Sequence, residues 1–285
     1  MTGIADSEAA LDEGRLLSQH QAALVLLQKM LANPNIERLS WLDLACGRGQ
    51  ILTQIEKNLN IRQRAKIEYF GYDLDVNYQR ETKARANKLG FLSTSSEVGP
   101  LVRFTQVTGS SKFDFITLTN TIHELDPRHL AQGLLDALDC LSEDGSLFIY
   151  DMETLPRPEL GAVPWRGKEM EAIVSTLLTE LGATRYAESV AVGTWSHIKC
   201  NGWNVLIDMQ YLVQEVPKWY ATRNAAQTAT ADYINSVLQR RLDICTNALT
   251  TMTETGLETE GEENEKIQSL YEFWALSRAM RGSAS

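Results

Sequence analysis

The 285-residue chain is long enough to bury one large domain, or a catalytic domain with a smaller cover. Hydrophobic residues make up 44% and charged residues 22%, and no apolar run approaches the roughly twenty residues of a membrane span. A formal net charge of -10 argues against a broad phosphate-binding face, because nucleic-acid affinity rests largely on Lys and Arg displacing counterions.

Asp6, Glu8, Asp12 and Glu13 near the start are the reverse of the basic-then-apolar layout of a secretory leader, so a cytoplasmic setting without membrane attachment is expected. Cys46, Cys140, Cys200 and Cys245 lie far apart, with no paired spacing. They read as reduced thiols rather than a metal cluster or disulfide frame.

Residues 5–32 read as one or two amphipathic helices, with Leu16, Leu17, Leu24, Leu27 and Leu31 recurring at roughly helical spacing until Pro34. From Leu39 onward, short apolar runs alternate with helix-like stretches, the pattern of repeated βαβ units on a parallel sheet. Strands are predicted over 41–45, 67–72, 102–107, 113–119 and 146–150, and helices over 51–59, 76–89, 130–141 and 168–181. Residues 186–192 and 203–209 then read as an antiparallel pair. Beyond Val216 the chain reads as helix, broken over 252–265, where six glutamates with Gly256 and Gly261 predict a solvated loop. The expected organisation is a helical segment over 1–38, a catalytic domain over 39–210 and a helical extension over 211–285.

The segment that carries chemistry is Trp41-Leu-Asp-Leu-Ala-Cys-Gly-Arg-Gly-Gln50, where a buried strand runs into Gly47 and Gly49 and then into a helix. Glycines at such a bend allow a sharp turn and let a ligand approach the backbone. Asp73 closes the next apolar run, where an acid can accept hydrogen bonds from ribose hydroxyls. A dinucleotide fingerprint wants a third glycine at position 52, which is Leu52, and gains nothing from the Asp43 carboxylate near a pyrophosphate. A nucleoside bearing a cationic sulfonium and no phosphate suits Asp43 better, which ranks a nucleotide-linked dehydrogenase below a methyl-donor enzyme.

Asp43-Leu-Ala-Cys-Gly-Arg-Gly49 resembles motif I of the class I S-adenosylmethionine-dependent methyltransferases, and Gly71-Tyr-Asp-Leu-Asp75 resembles the acidic motif that follows it. Phe113 to Leu125 is similar to the family's fourth strand and the turn after it, and Leu141 to Tyr150 to the turn into its fifth strand. The resemblance spans roughly residues 39–210. It implies a doubly wound α/β fold, Rossmann-like, with a mostly parallel seven-stranded sheet and added helices at both ends. S-adenosyl-L-methionine is the implied cofactor, lined on its methionine side by Asp43, Ala45, Cys46, Gly47 and Gly49. Asp73 would hold the ribose, Leu74 would lie against the adenine, and Asn120 and Thr121 would wall the transferable methyl group. The family's third-strand acid is missing from Phe104 to Gly109, where Gln106 or Thr108 would have to stand in.

His123 and Glu124, just beyond the fourth strand, are candidates to take a proton from an attacking oxygen or nitrogen. No metal is expected: a zinc helix would need a second histidine at 127, which is Pro127, and His129 is off the shared helical face. The turn also lacks the Asn-Pro-Pro-Tyr signature of amino-methylating DNA enzymes, so a small molecule or protein side chain is the expected acceptor. Trp165, after Pro156, Pro158 and Pro164, is a candidate substrate contact. The rival reading is a non-catalytic module of the same fold that pairs with another protein. The terminal helices are the candidate surface for such a partner, or for a homodimer.

Overall fold

A computed structural model describes residues 18–155, 159–183, 189–197, 200–213, 219–255 and 259–281. Seven strands form one sheet in the order β3-β2-β1-β4-β5-β7-β6. They are β1 (Leu39–Leu44), β2 (Ile67–Asp73), β3 (Ser93–Val98), β4 (Phe113–Thr119), β5 (Leu141–Met152), β6 (Val190–His197) and β7 (Cys200–Asp208). The first five run parallel, and β7 pairs antiparallel with both β5 and β6. The strand order reverses between β1 and β4, the place where a doubly wound sheet opens a crevice at its carboxyl edge.

Helices cover both faces, so the inner strands are apolar on both sides and read as continuous hydrophobic runs. Side chains alternate: Trp41, Tyr69, Phe115, Phe148 and Tyr150 join one buried cluster, and Leu42, Tyr72, Ile116, Leu147 and Ile149 the other. The first face is covered by α1 (Ser18–Ala32), α2 (Leu52–Asn58) and α4 (Val76–Ala86), and a short α3 (Ile61–Arg64) leads into β2. The second face takes α5 (Phe104–Thr108), α6 (Leu130–Asp139) and α7 (Gly167–Glu180).

Three sequence expectations are corrected. Residues 102–107 are not the third strand. β3 lies earlier, over Ser-Thr-Ser-Ser-Glu-Val, and is polar because it is an edge strand with only Ser96 buried. The apolar run instead forms a short helical turn that buries Phe104 and leaves Val107 exposed. Gln106 and Thr108 therefore do not follow a strand, and Thr108 donates its hydroxyl to the Phe104 carbonyl. The late hairpin extends differently, with β6 running on to His197 and β7 starting at Cys200, while residues 186–188 of the expected run lie outside the described set.

The acidic segment is the third. After α8 (Met209–Val213), α9 (Trp219–Thr255) and α10 (Glu260–Arg281) form a helical pair, and residues 256–258 fall outside the described set. Glu260, Glu262 and Glu263 occupy the first turn of α10, where negative charge meets the positive helix end. Thr259 and Glu262 form a reciprocal cap, the Thr259 amide donating to Glu262 at 2.8 Å and the Glu262 amide to the Thr259 hydroxyl at 3.3 Å. Of the helix expected over 5–32, residues 5–17 lie outside the described set.

The helical pair packs as part of the main core: Ala226, Ile234, Val237, Leu238 and Leu276 join the cluster of α6 and α7. Arg223 on α9 ties to Asp139 at 2.8 Å and also to Asp136, both on α6. Among the described residues, no helix is long and apolar enough to cross a membrane.

Candidate active site

The glycine bend after β1 is built from backbone that side chains resist. Ala45, Gly47 and Gly49 all have φ near the left-handed region, at +52°, +53° and +73°. Strained residues of this kind persist where the surroundings hold them and tend to gather at functional sites. A Cβ on Gly47 would lie 2.7 Å from the Gln50 side-chain oxygen. The Thr82 hydroxyl pins the bend from α4 by donating to the Gly47 carbonyl at 2.7 Å.

Both predicted acids meet this bend. Asp73 Oδ2 accepts the Gly47 amide at 2.7 Å and Oδ1 accepts the Asp75 amide at 2.9 Å, so the carboxylate is fixed at the end of β2. Burial raises its pKa. Asp43 is buried, and its two oxygens accept from the Thr117 hydroxyl at 2.7 Å and the Tyr69 hydroxyl at 2.9 Å. Trp41 in turn donates its indole N–H to Thr117 at 2.9 Å. Burial outweighs these hydrogen bonds and pushes the Asp43 pKa up to about 6.

A cavity of about 640 Å³ opens along this edge, in the size range of ligand pockets. Asp43, Ala45, Cys46, Gly47, Asp73, Leu74, Asn120, Thr121, His123 and Glu124 all line it. Gly49 does not; it faces Thr82, Leu52 and Arg85 and lets the chain enter α2. Cys46 is a buried free thiol whose pKa is raised by that burial, so it serves as a wall and not a nucleophile. Leu74 is largely exposed, an apolar flank beside Asp73. Asn120 carries a second strained non-glycine φ, +53°, and its buried Oδ1 has no hydrogen-bond partner.

Trp165 is not brought to the cavity. It is fully buried in the main core, where its carbonyl accepts the Trp203 indole N–H at 2.7 Å. A large apolar ring after a proline-rich stretch gains more from the core than from the rim.

At the other end of the cavity His123 is held by two residues that the sequence did not reveal. Its ring Nδ1 lies 2.6 Å from Asp151 Oδ1 at the end of β5, and its backbone amide donates to Asp151 Oδ2 at 2.8 Å. Its Nε2 faces Glu159 at 3.5 Å and Glu124 at 3.8 Å. Burial alone would depress the imidazolium, but the facing carboxylates of Asp151, Glu159 and Glu124 outweigh it and raise the His123 pKa to about 10. The facing His123 ring holds the Glu159 carboxyl below its usual range. The donor atoms of His123, Glu124 and Glu159 lie within 4.8 Å of one another, the spacing of a cation holder. Asp151 had a faint signal, an acid closing the fifth apolar run; Glu159 had none, since only the fold returns residues 159–163 to the site. The Val163 amide donating to the His123 carbonyl at 2.7 Å makes that return.

A methyltransferase-domain family model matches residues 18–181, more than half of the chain. The chain belongs to the methyltransferase family, and is an enzyme of the class that uses S-adenosylmethionine. No curated protein matches it by sequence. Among solved structures it is similar to magnesium protoporphyrin IX methyltransferase from Synechocystis PCC 6803 with bound SAH, at 14% identity over 73% of this chain and 94% of that one, with a TM-score of 0.52. It is also similar to the citrinin polyketide synthase CMeT domain, at 18% identity over 67% of this chain and 52% of that one, with a TM-score of 0.50. The CurJ carbon methyltransferase aligns over 67% of this chain at 17% identity and a TM-score of 0.49, and this chain spans about half the length of that protein and of the citrinin one. At such identities the likeness concerns the fold.

Proposed function

We propose that the enzyme methylates an oxygen or nitrogen of a small molecule or protein side chain, with His123 receiving the proton that the acceptor gives up. The observation that carries this is the placement of the His123 ring: its Nδ1 is anchored on Asp151, which turns Nε2 toward the cavity shared with Asp73.

The residues present suit the cofactor. The bend at Ala45 to Gly47 leaves no Cβ at Gly47 to obstruct a close approach, Asp73 stands ready for vicinal hydroxyls, and Leu74 offers an apolar flank. The buried carboxylate of Asp43 favours a positive charge nearby. Bound S-adenosylmethionine supplies a methyl group on a cationic sulfonium, ready for in-line displacement. The protein's part is alignment and proton removal. Asn120 and Thr121 wall the acceptor side, and a carboxylate on Nδ1 fixes the His123 tautomer so that Nε2 is the atom that exchanges a proton.

The test is a turnover assay with His123→Ala, with cofactor binding measured separately by calorimetry. Loss of turnover with retained S-adenosylhomocysteine binding supports the reading. Unchanged turnover removes His123 from the reaction.

A further inference from the structure

We infer that the methyl acceptor is a cationic amine, recognised at the acceptor end of the cavity by Glu124 and Glu159. The inference rests on the methyl-transfer reading and goes beyond it by choosing the chemical class of the substrate.

The charges lining the cavity are one-sided. Five lining residues are acidic, Asp43, Asp73, Glu124, Asp126 and Glu159, and among the described residues no lysine or arginine lines it. Asp43 and Asp73 belong to the cofactor half. Asp126 is engaged by the Arg128 guanidinium at 3.0 Å. Glu124 and Glu159 remain at the acceptor half, with His123 Nε2 between them. A carboxylate or phosphate acceptor would meet two like charges at short range, and among the described lining residues the side chains able to carry positive charge are His123, which Asp151 already balances, and His129, which lies by Asp126. An ammonium finds the reverse: two carboxylates and the unpartnered Asn120 Oδ1 lining the same cavity, all acceptors, matching its N–H donors.

The same cluster explains how the amine becomes a nucleophile. A second cation beside Nε2 disfavours the imidazolium, so docking the acceptor drives off the proton that the carboxylates otherwise keep on His123. The neutral ring then takes one proton from the ammonium. The amine lone pair forms the N–C bond as the C–S bond breaks, with that electron pair staying on sulfur. The product is an N-methyl ammonium, and His123 ends as the imidazolium it began as, so the one proton released per transfer is the one lost to water on docking.

The experiment supplies the full-length protein with methyl-tritiated S-adenosylmethionine and a metabolite extract separated at neutral pH into cationic, neutral and anionic fractions, each with EDTA or with added magnesium or manganese. Transfer is expected in the cationic fraction, to a product retained on a cation exchanger, and insensitive to EDTA. Glu159→Gln is expected to raise KM for that acceptor about tenfold or more, since a charged hydrogen-bonded contact is removed, with S-adenosylhomocysteine affinity kept within about twofold. A labelled product that is neutral or anionic, or transfer that requires the metal ion, overturns the inference and leaves methyl transfer standing. Absence of S-adenosylhomocysteine binding overturns the methyl-transfer reading and this inference with it.

Discussion

His123 and Asp151 join the turn after β4 to the end of β5 through a 2.6 Å contact between buried groups. Asp151 does not line the cavity and acts by positioning: it sets which ring nitrogen faces the cavity and holds a proton on the other. Asp151→Asn is expected to lower kcat by at least about tenfold, by analogy with other carboxylate-oriented histidines. It is also expected to move the alkaline inflection of the kcat/KM profile to lower pH, because the largest attractive charge on the imidazolium is gone. A purely structural role for Asp151 would lower activity without moving that inflection.

The pair also couples folding to pH. The His123 pKa in the folded chain, about 10, lies above its ordinary 6.5. Its stabilising contribution is therefore complete below about pH 6.5 and is lost as pH rises through 10. Urea unfolding of wild type should show stability falling over that window, and His123→Asn should flatten the fall. Asp126 and His129 also line this region, so a double comparison with His129→Gln isolates the His123 part.

Asp43 follows the same sign with a lower window. Its folded pKa, about 6, is above the ordinary 3.8, so the cost of burying the charged form grows as pH rises from 3.8 and is complete above about 6. Asp43→Asn is expected to stabilise the ligand-free protein by about 1–3 kcal/mol at pH 8, on the scale of 1.4 kcal/mol per pKa unit. The same change is expected to weaken cofactor binding, since the carboxylate that suits a sulfonium is removed. Paired denaturation and calorimetry read both effects.

Gly47→Ala separates strain from site. A left-handed backbone at an L-residue costs about 1–2 kcal/mol, and Gly90, at +71° with open space around it, should show the same cost. Only the Gly47 variant should also lose S-adenosylhomocysteine affinity. Equal affinities in the two variants would remove Gly47 from the cofactor site.

The helical extension supports the site at a distance. Arg241 on α9 donates to the Pro164 carbonyl at 2.7 Å and pairs with Glu272 on α10 at 2.6 Å. Gly161 packs against Trp274 and Arg278 of α10, so both helices brace the segment that presents Glu159. Removing a largely buried guanidinium with several partners costs about 3 kcal/mol or more. Arg241→Ala should therefore lower the melting temperature and raise KM for the acceptor more than for the cofactor.

The glycine bend and the acid beside it are legible in the sequence because they are local: the Asp43 to Gly49 bend and the Asp73 ending each sit within one strand–turn unit. Of the cluster around His123, only His123 and Glu124 are legible in the sequence. Asp151 and Glu159 reach His123 from 28 and 36 positions away along the chain, and no local spacing records that. β3 was misplaced because an exposed edge strand carries polar residues and a neighbouring turn carried the apolar ones. The Thr259–Glu262 cap was written in the sequence as Thr-x-x-Glu, but the run of glutamates around it reads as solvated coil unless the cap is given priority. Trp165 was misread because a ring after several prolines suggests a loop, while its burial depends on α7 and β7 closing over it.

Titrating S-adenosylhomocysteine into the wild-type protein and into Asp73→Asn by calorimetry addresses the central claim most directly. One site per chain in wild type, weakened about tenfold or more when Asp73 loses its charge, is the result expected of a ribose-holding carboxylate at the end of β2. No heat of binding in wild type, or equal affinity in both proteins, would contradict it.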